Sequence, residues 1–154
     1  MSNEFVFAYG SNLISAQMER RCPSAREIGI ARLAGHRFAF TGYSPTWNGA
    51  VATVIGDRND YVDGVVYSIT PADLTRLDGF EGVPFSYTRR KVHVRIARRA
   101  IFAWVYIKAH THDAIPSPAY FAACIAGRAS RGIDYEPVID AMTIATNGHS
   151  PLPF

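Results

Sequence analysis

YTRRKVHVRIARRAIFAWVYIK, residues 87–108, concentrates cations and aromatic residues in one short stretch. It reads either as an arm for nucleic acid or as part of a sheet, and its alternation separates the two. Val92, Val94 and Ile96 fall on one face of an extended chain, and Lys91, His93 and Arg95 on the other. Charge confined to one face of an amphipathic strand reads as a solvated surface, the alternative being a mild positive field that draws in an anionic substrate. Residues 85–96 and 100–109 therefore read as paired strands around "ARR", and nucleic acid is not the expected partner.

Upstream the same signal repeats. Residues 4–8, 31–43, 49–56 and 61–69 read as strands, separated by turn-rich pieces such as "SPTWNG" and "GDRND". This cadence predicts a mainly antiparallel sheet or small barrel. Between these strands and the arginine-rich hairpin lies "ITPADLTRLDGFEG", residues 69–82. Thr70 suits an N-cap, Pro71 the first helical position and Asp73 the first turn, while Gly79 or Gly82 suits the end. Leu74 and Leu77 share a face, and the helix delivers Asp78 and Glu81 at its C-terminal edge. A further helix is expected from Ser117-Pro118 to about residue 131, where Gly132 can close it, and a short one over 135–143. Residues 144–154, rich in Gly, Pro and Asn, are expected to form an irregular tail.

At 154 residues the chain suits a single domain, 1–154. A content of 48% hydrophobic against 19% charged residues excludes a disordered or fibrous chain. No apolar run approaches the ~18 to 20 residues that cross a bilayer, and "MSNEFVFAYG" lacks the features of a signal peptide, so a cytoplasmic protein without a membrane partner is expected. Cys22 and Cys124 form no C-x-x-C motif. Cys22 reads as a surface or half-buried thiol and Cys124 as a small core residue.

Few residues suggest chemistry. His110 and His112, with Asp113, have the spacing of one strand face but lack the further ligands a metal needs, and they read as a solvated strand end. No G-x-S-x-G or H-E-x-x-H motif occurs, and "YGSN" lacks the Gly-Lys-Ser/Thr ending of a phosphate loop. Two features remain. "FVFAYGSNL", residues 5–13, passes abruptly from bulky strand residues to Gly10, Ser11 and Asn12, then to the amphipathic "ISAQMERR". Glycine there lets a ligand approach the backbone, and successive N–H groups make a cradle for a carboxylate. Glu81, beside Phe80, Val83 and Phe85, either lies out in water or is desolvated and tuned as a base. Taken singly, each has a plain reading: a strand-to-helix turn and an exposed carboxylate.

Together they coincide with a known pattern. The sequence resembles the gamma-glutamylcyclotransferase family over nearly its whole length, in four blocks: "FAYGSNL", "RCPSAREIGIARLAGHRFAF", "DGVVYSITPADLTRLDGFEGVPFSYTRRKVHV" with its Leu-Asp-x-x-Glu-Gly motif, and "PSPAYFAACIAGRASRGIDYEPVID". The resemblance implies an α+β fold, a small mixed, mainly antiparallel β-barrel with flanking short helices. It implies that Tyr9, Gly10, Ser11 and Asn12 bind the glutamyl moiety largely through backbone amides, with Leu13 close by. It implies Glu81 as the acid/base and places Tyr87 and Tyr106 near the pocket, with no cofactor and no metal.

The partner so implied is a small-molecule γ-glutamyl compound. The reaction is cyclisation to 5-oxoproline with release of the attached amine, an intramolecular aminolysis of acyltransferase or lyase type. The alternative is a non-catalytic γ-glutamyl binding module. Asp78 is the competing carboxylate and reads as a structural helix-end residue. Phe85, Trp47 and Tyr43 are either pocket walls or, more simply, core residues. Dipeptides, amines, glutathione and acylated metabolites all stay open as substrates, as do the oligomeric state, a homodimer among the options, and the roles of His36 and His93.

Overall fold

The computed structural model describes residues 2–149. Among them, five strands close into a barrel: β1 (Glu4–Ala8), β2 (Arg26–Ser44), β3 (Gly49–Ile69), β4 (Thr88–Ile96) and β5 (Arg99–Ile107). The order around the barrel is β1-β3-β2-β4-β5. All neighbouring pairs are antiparallel except β1 and β5, which meet in parallel at Val6 and Trp104. The expected mixed, mainly antiparallel barrel is what forms. The opening hairpin behaves as its alternation requires, with Thr88 opposite Ile107 and Ile96 opposite Arg99; Val94 is buried while Lys91, His93 and Arg95 face solvent.

β3 corrects the expectation of two strands over 49–56 and 61–69. The "GDRND" piece stays within one continuous strand. Its pairing with β2 jumps from His36 opposite Gly56 to Ala34 opposite Tyr61, so residues 57–60 swell out as a bulge. The turn chemistry in those residues is real but local: Asp57 accepts from the Asn59 N–H and Asp60 from the Tyr61 N–H. The chain bends at this bulge without reversing, because β2 is long enough to pair on both sides of it.

The helices are α1 (Ser15–Arg21), α2 (Pro71–Glu81), α3 (Pro118–Ala129) and α4 (Glu136–His149). Their starts follow the sequence signals. The Thr70 hydroxyl accepts from the Asp73 N–H at 3.2 Å, and Ser117 Oγ from the Tyr120 N–H at 3.3 Å, each with proline at the first turn. α4 overturns the expected irregular tail over residues 144–149. Val138, Ala141 and Ala145 recur at helical spacing and are buried, so packing on β2 carries the helix past residue 143 despite poor local propensity. The remainder of that expected tail, 150–154, lies outside the described residues.

Two cores result. Phe7, Leu33, Phe38, Phe40, Val54, Val66, Val94 and Val105 fill one, which α3 and α4 cover with Tyr120, Cys124 and Val138. Val6, Leu13, Met18, Val65, Ile69, Leu74, Leu77 and Tyr106 form the other, between the barrel wall and α1 and α2. β1 serves both, and its C-terminal end lies at their seam. Cys22 belongs to the second core and is fully buried, contrary to its reading as a surface or half-buried thiol. Its Sγ sits 3.5 Å from the Asp73 carbonyl, and burial pushes the thiol up to about 11. No helix among the described residues is long and apolar enough to cross a membrane.

Candidate active site

The site begins where β1 stops. Tyr9 is buried, and its hydroxyl donates to the Tyr106 carbonyl at 2.5 Å, pinning the strand end to β5. The chain then makes a single 3-10 turn, Ser11–Leu13, in which the Leu13 and Ile14 N–H groups donate back to the Gly10 and Ser11 carbonyls. Gly10 is needed here for room: a Cβ would sit 3.2 Å from Ala52 Cβ and 3.3 Å from the Tyr120 hydroxyl. Slender residues let the turn lie against β3 while leaving a cleft open above it.

Glu81 reaches this cleft from the other side. It is the last residue of α2, which ends because Gly82 adopts a left-handed conformation at φ 67°. Its side chain is only 14% exposed. Asn12 Nδ2 donates to Glu81 Oε1 at 3.0 Å, and Arg21 Nη1 stands 3.6 Å from the same oxygen. Asn12 is itself held. Its Oδ1 accepts from Gln17 Nε2 at 3.0 Å and from Arg21 Nη1 at 3.1 Å, which leaves its amide nitrogen facing the carboxylate. Gln17 also donates to Ser11 Oγ at 2.9 Å. Burial pushes the Glu81 carboxyl above its usual range; Arg21 and Asn12 oppose that rise and Asp78 adds to it.

The walls are tyrosine-rich. Tyr87 donates to the Ala52 carbonyl at 2.6 Å, and the Ala52 N–H donates to the Tyr120 hydroxyl at 3.0 Å, so two phenols fix one β3 residue from both sides. Burial holds the Tyr9, Tyr87, Tyr106 and Tyr120 hydroxyls above the ordinary phenol range, so all four stay neutral. Trp47 closes one end, edge-on to Tyr120 with centroids 4.9 Å apart. Phe80, with the Arg21 guanidinium 5.3 Å from its ring centroid, also lines the cleft, as do Ser44, Thr46 and Ser86.

Tyr9, Gly10, Ser11, Asn12, Glu81, Tyr87 and Tyr106 all line this one cleft. Leu13 does not: it is fully buried in the second core, beneath the turn. Asp78 accepts from Arg89 Nε at 2.8 Å and from the Tyr106 hydroxyl at 2.7 Å, and is not part of the cleft lining. Phe85 and Tyr43 are neither walls nor core, being 97% and 59% exposed. His36 contacts Arg90 and the Ala34 carbonyl, and His93 stacks on Phe102; neither lines the cleft. His110 pairs with Asp113 at 2.9 Å, and the described residues contain no group of three or more His, Cys, Asp or Glu suited to a metal.

Gln17 and Arg21 are the members that sequence reasoning missed. The signal was present, since they stand four residues apart in "ISAQMERR" and so share one helical face. Tyr120 was hidden within an apolar helix pattern.

Comparison with known proteins meets this geometry directly. The sequence profile of the family described as "Gamma-glutamyl cyclotransferase, AIG2-like" matches residues 6–122, which include the turn, Glu81 and all four tyrosines. The chain belongs to the gamma-glutamyl cyclotransferase family. It is 33% identical over 137 residues to the human protein named gamma-glutamylcyclotransferase, covering 84% of this chain and 72% of that one, and 31% identical to the mouse protein of that name with the same coverage. A solved structure titled gamma-glutamyl cyclotransferase superposes with a TM-score of 0.83 at 29% identity, over 99% of this chain and 90% of that one. In this gamma-glutamyl cyclotransferase family member, the matched segment ends five residues into α3, before Arg128 on that helix and Arg131 just past its end. Arg131 donates to the Leu13 carbonyl of the turn, and Arg128 to the Tyr9 carbonyl just before it.

Proposed function

We propose that this chain cyclises a γ-glutamyl group to 5-oxoproline and releases the attached amine or amino acid, with Glu81 as the general acid/base. The observation that carries this reading is the placement of a desolvated carboxylate, oriented by Asn12 and Arg21, across a narrow cleft from the Gly10-Ser11-Asn12 turn.

The chemistry follows from the needs of the substrate. Its α-nitrogen attacks its own γ-carbonyl carbon, a C–N bond forms, the bond to the departing amine breaks, and no water is consumed. The nucleophile is already tethered, so holding the chain in a ring-closing conformer supplies roughly 7 to 11 kcal/mol in favourable cases. The α-amine arrives protonated and the leaving nitrogen must depart protonated. Glu81 takes the first proton and returns it to the leaving nitrogen, a role its raised pKa suits; the second proton that the α-nitrogen sheds in becoming the lactam N–H goes the same way, so the amine departs as its ammonium. The α-carboxylate needs donors that do not give up a proton, which the amides of residues 10–12 provide. Tyr87 and Tyr106, neutral and fixed, shape the walls.

The test is incubation of the protein with a panel of γ-glutamyl dipeptides, amines and glutathione, reading 5-oxoproline. Glu81→Gln is expected to lower kcat by about 10²- to 10⁴-fold while the fold and most of the binding persist. Near-normal 5-oxoproline release by folded Glu81→Gln overturns the assignment. Ligand stabilisation with no turnover by any panel member identifies a binding module instead.

A further inference from the structure

Behind the turn, outside the lining of the cleft, stand two arginines that differ in one respect, Arg128 on α3 and Arg131 just past its end. Arg131 donates to the Leu13 carbonyl and pairs with Glu27 at 2.8 Å, so its charge is compensated. Arg128 is 1% exposed and has no such partner: among the described residues no carboxylate lies within ion-pair distance of it. Its Nη1 donates to the Asp63 carbonyl at 2.7 Å and its Nη2 to the Tyr9 carbonyl at 3.0 Å. The Asp63 carboxylate is taken by Arg32, at 2.9 and 3.2 Å. Arg128 Nε has no hydrogen-bond partner among the described residues, and the guanidinium lies 5.4 Å from the Phe38 ring centroid. The neighbouring Cys124 thiol, pushed up to about 12 by burial, is neutral. The Asp63 and Asp134 carboxylates act on Arg128 only from beyond ion-pair distance, and a buried cation with no counter-ion in contact is costly, a cost that an anion bound nearby would lower.

The position of Arg128 shows where that anion belongs. The Tyr9 carbonyl and the Gly10 N–H are two ends of one peptide group. A cation donating to the oxygen polarises the group and strengthens its N–H as a donor, and in a low-dielectric interior the field of the charge reaches through to the cleft. We infer that Arg128 is a positioning residue whose charge, with no ion pair in contact, acts through the peptide joining Tyr9 and Gly10 and attracts the substrate's α-carboxylate to the turn. The inference rests on the γ-glutamyl reading above and adds to it a specificity for a negatively charged α-substituent, set from behind the site by a residue that never touches the ligand.

The experiment compares a γ-glutamyl substrate with its α-carboxamide counterpart in the wild-type chain, Arg128→Gln and Arg128→Lys. Arg128→Gln keeps an N–H for the Tyr9 carbonyl and removes the charge. It is expected to raise KM for the carboxylate about tenfold, with the smaller share of the loss in kcat, and to leave KM for the carboxamide nearly unchanged. Arg128→Lys restores most of the preference. Equal losses on both substrates would make Arg128 a fastener of the turn only, and an unchanged preference would remove it from recognition; either result overturns the inference. If Arg128→Gln does not fold, Arg128→Met, which fills the same volume without charge, carries the comparison. Thermal stabilisation by 5-oxoproline and by its carboxamide is measured in parallel. A wild-type chain that binds both but turns over no γ-glutamyl compound then fails the catalytic reading while still reporting on the charge.

Discussion

Glu81 Oε1 faces a neutral donor, Asn12 Nδ2, and a more distant cation, Arg21, which also orients that donor. Both oppose the effect of burial, so removing either should push the Glu81 carboxyl further up. Arg21→Met is therefore expected to move the acid limb of the kcat/KM profile to higher pH, with Arg21→Lys staying nearer the wild type; an unmoved limb would exclude Arg21 from tuning the base. Stability should carry the same signature. A carboxyl held above its unfolded pKa is favoured protonated in the fold, so its cost is absent below the unfolded value and grows as pH rises through the folded one. Glu81→Gln should accordingly be more stable than wild type in urea at neutral pH, with the advantage fading as pH falls through the raised folded pKa and gone below the ordinary value of ~4.3. Only part of this was visible beforehand. Apolar neighbours in "FEGVP" raised the possibility of a desolvated carboxylate, but its 14% exposure arises from α1, some sixty residues earlier in the chain, folding over α2.

At the scale of elements, the site depends on how a strand end, a helix end and the outer face of α3 meet. α2 places Glu81 through its caps, and Thr70→Ala is expected to cost about 1 kcal/mol in urea denaturation. α3 presses on the turn through Gly127, where a Cβ would sit 2.7 Å from Leu13 Cβ and 3.2 Å from the Leu13 carbonyl carbon. Gly127→Ala should therefore cost about 1 to 3 kcal/mol and raise KM, because the turn must shift; an unchanged KM would show that α3 does not set its position. Caps and first-turn prolines act within a few residues, and for that reason α2 and α3 began where expected. β3 and α4 ran on past apparent stop signals because a long partner strand and a buried stripe at Val138, Ala141 and Ala145 outweighed local preference.

For the whole molecule, β1 ties the two cores together, so barrel and flanking helices should unfold as one unit. Phe40→Ala in the barrel core is expected to cost about 3 to 5 kcal/mol, and Leu77→Ala beneath α2 about 2 to 5 kcal/mol, each in a single urea transition. Two separated transitions would show that the α1–α2 flank opens independently. Period-two alternation, capping residues and the paired "YGSN" and "LDGFEG" motifs lie within short windows, and from them the sequence alone determined a mainly antiparallel sheet or small barrel, most of the elements and the two stretches that line the cleft. Closure of β1 on β5, the burial of Glu81, the Gln17 and Arg21 network and the charge of Arg128 behind Tyr9 were decided only by tertiary structure. Each depends on which distant side chains exclude water from a group or leave its charge without an ion pair in contact, and no local window of sequence contains those neighbours.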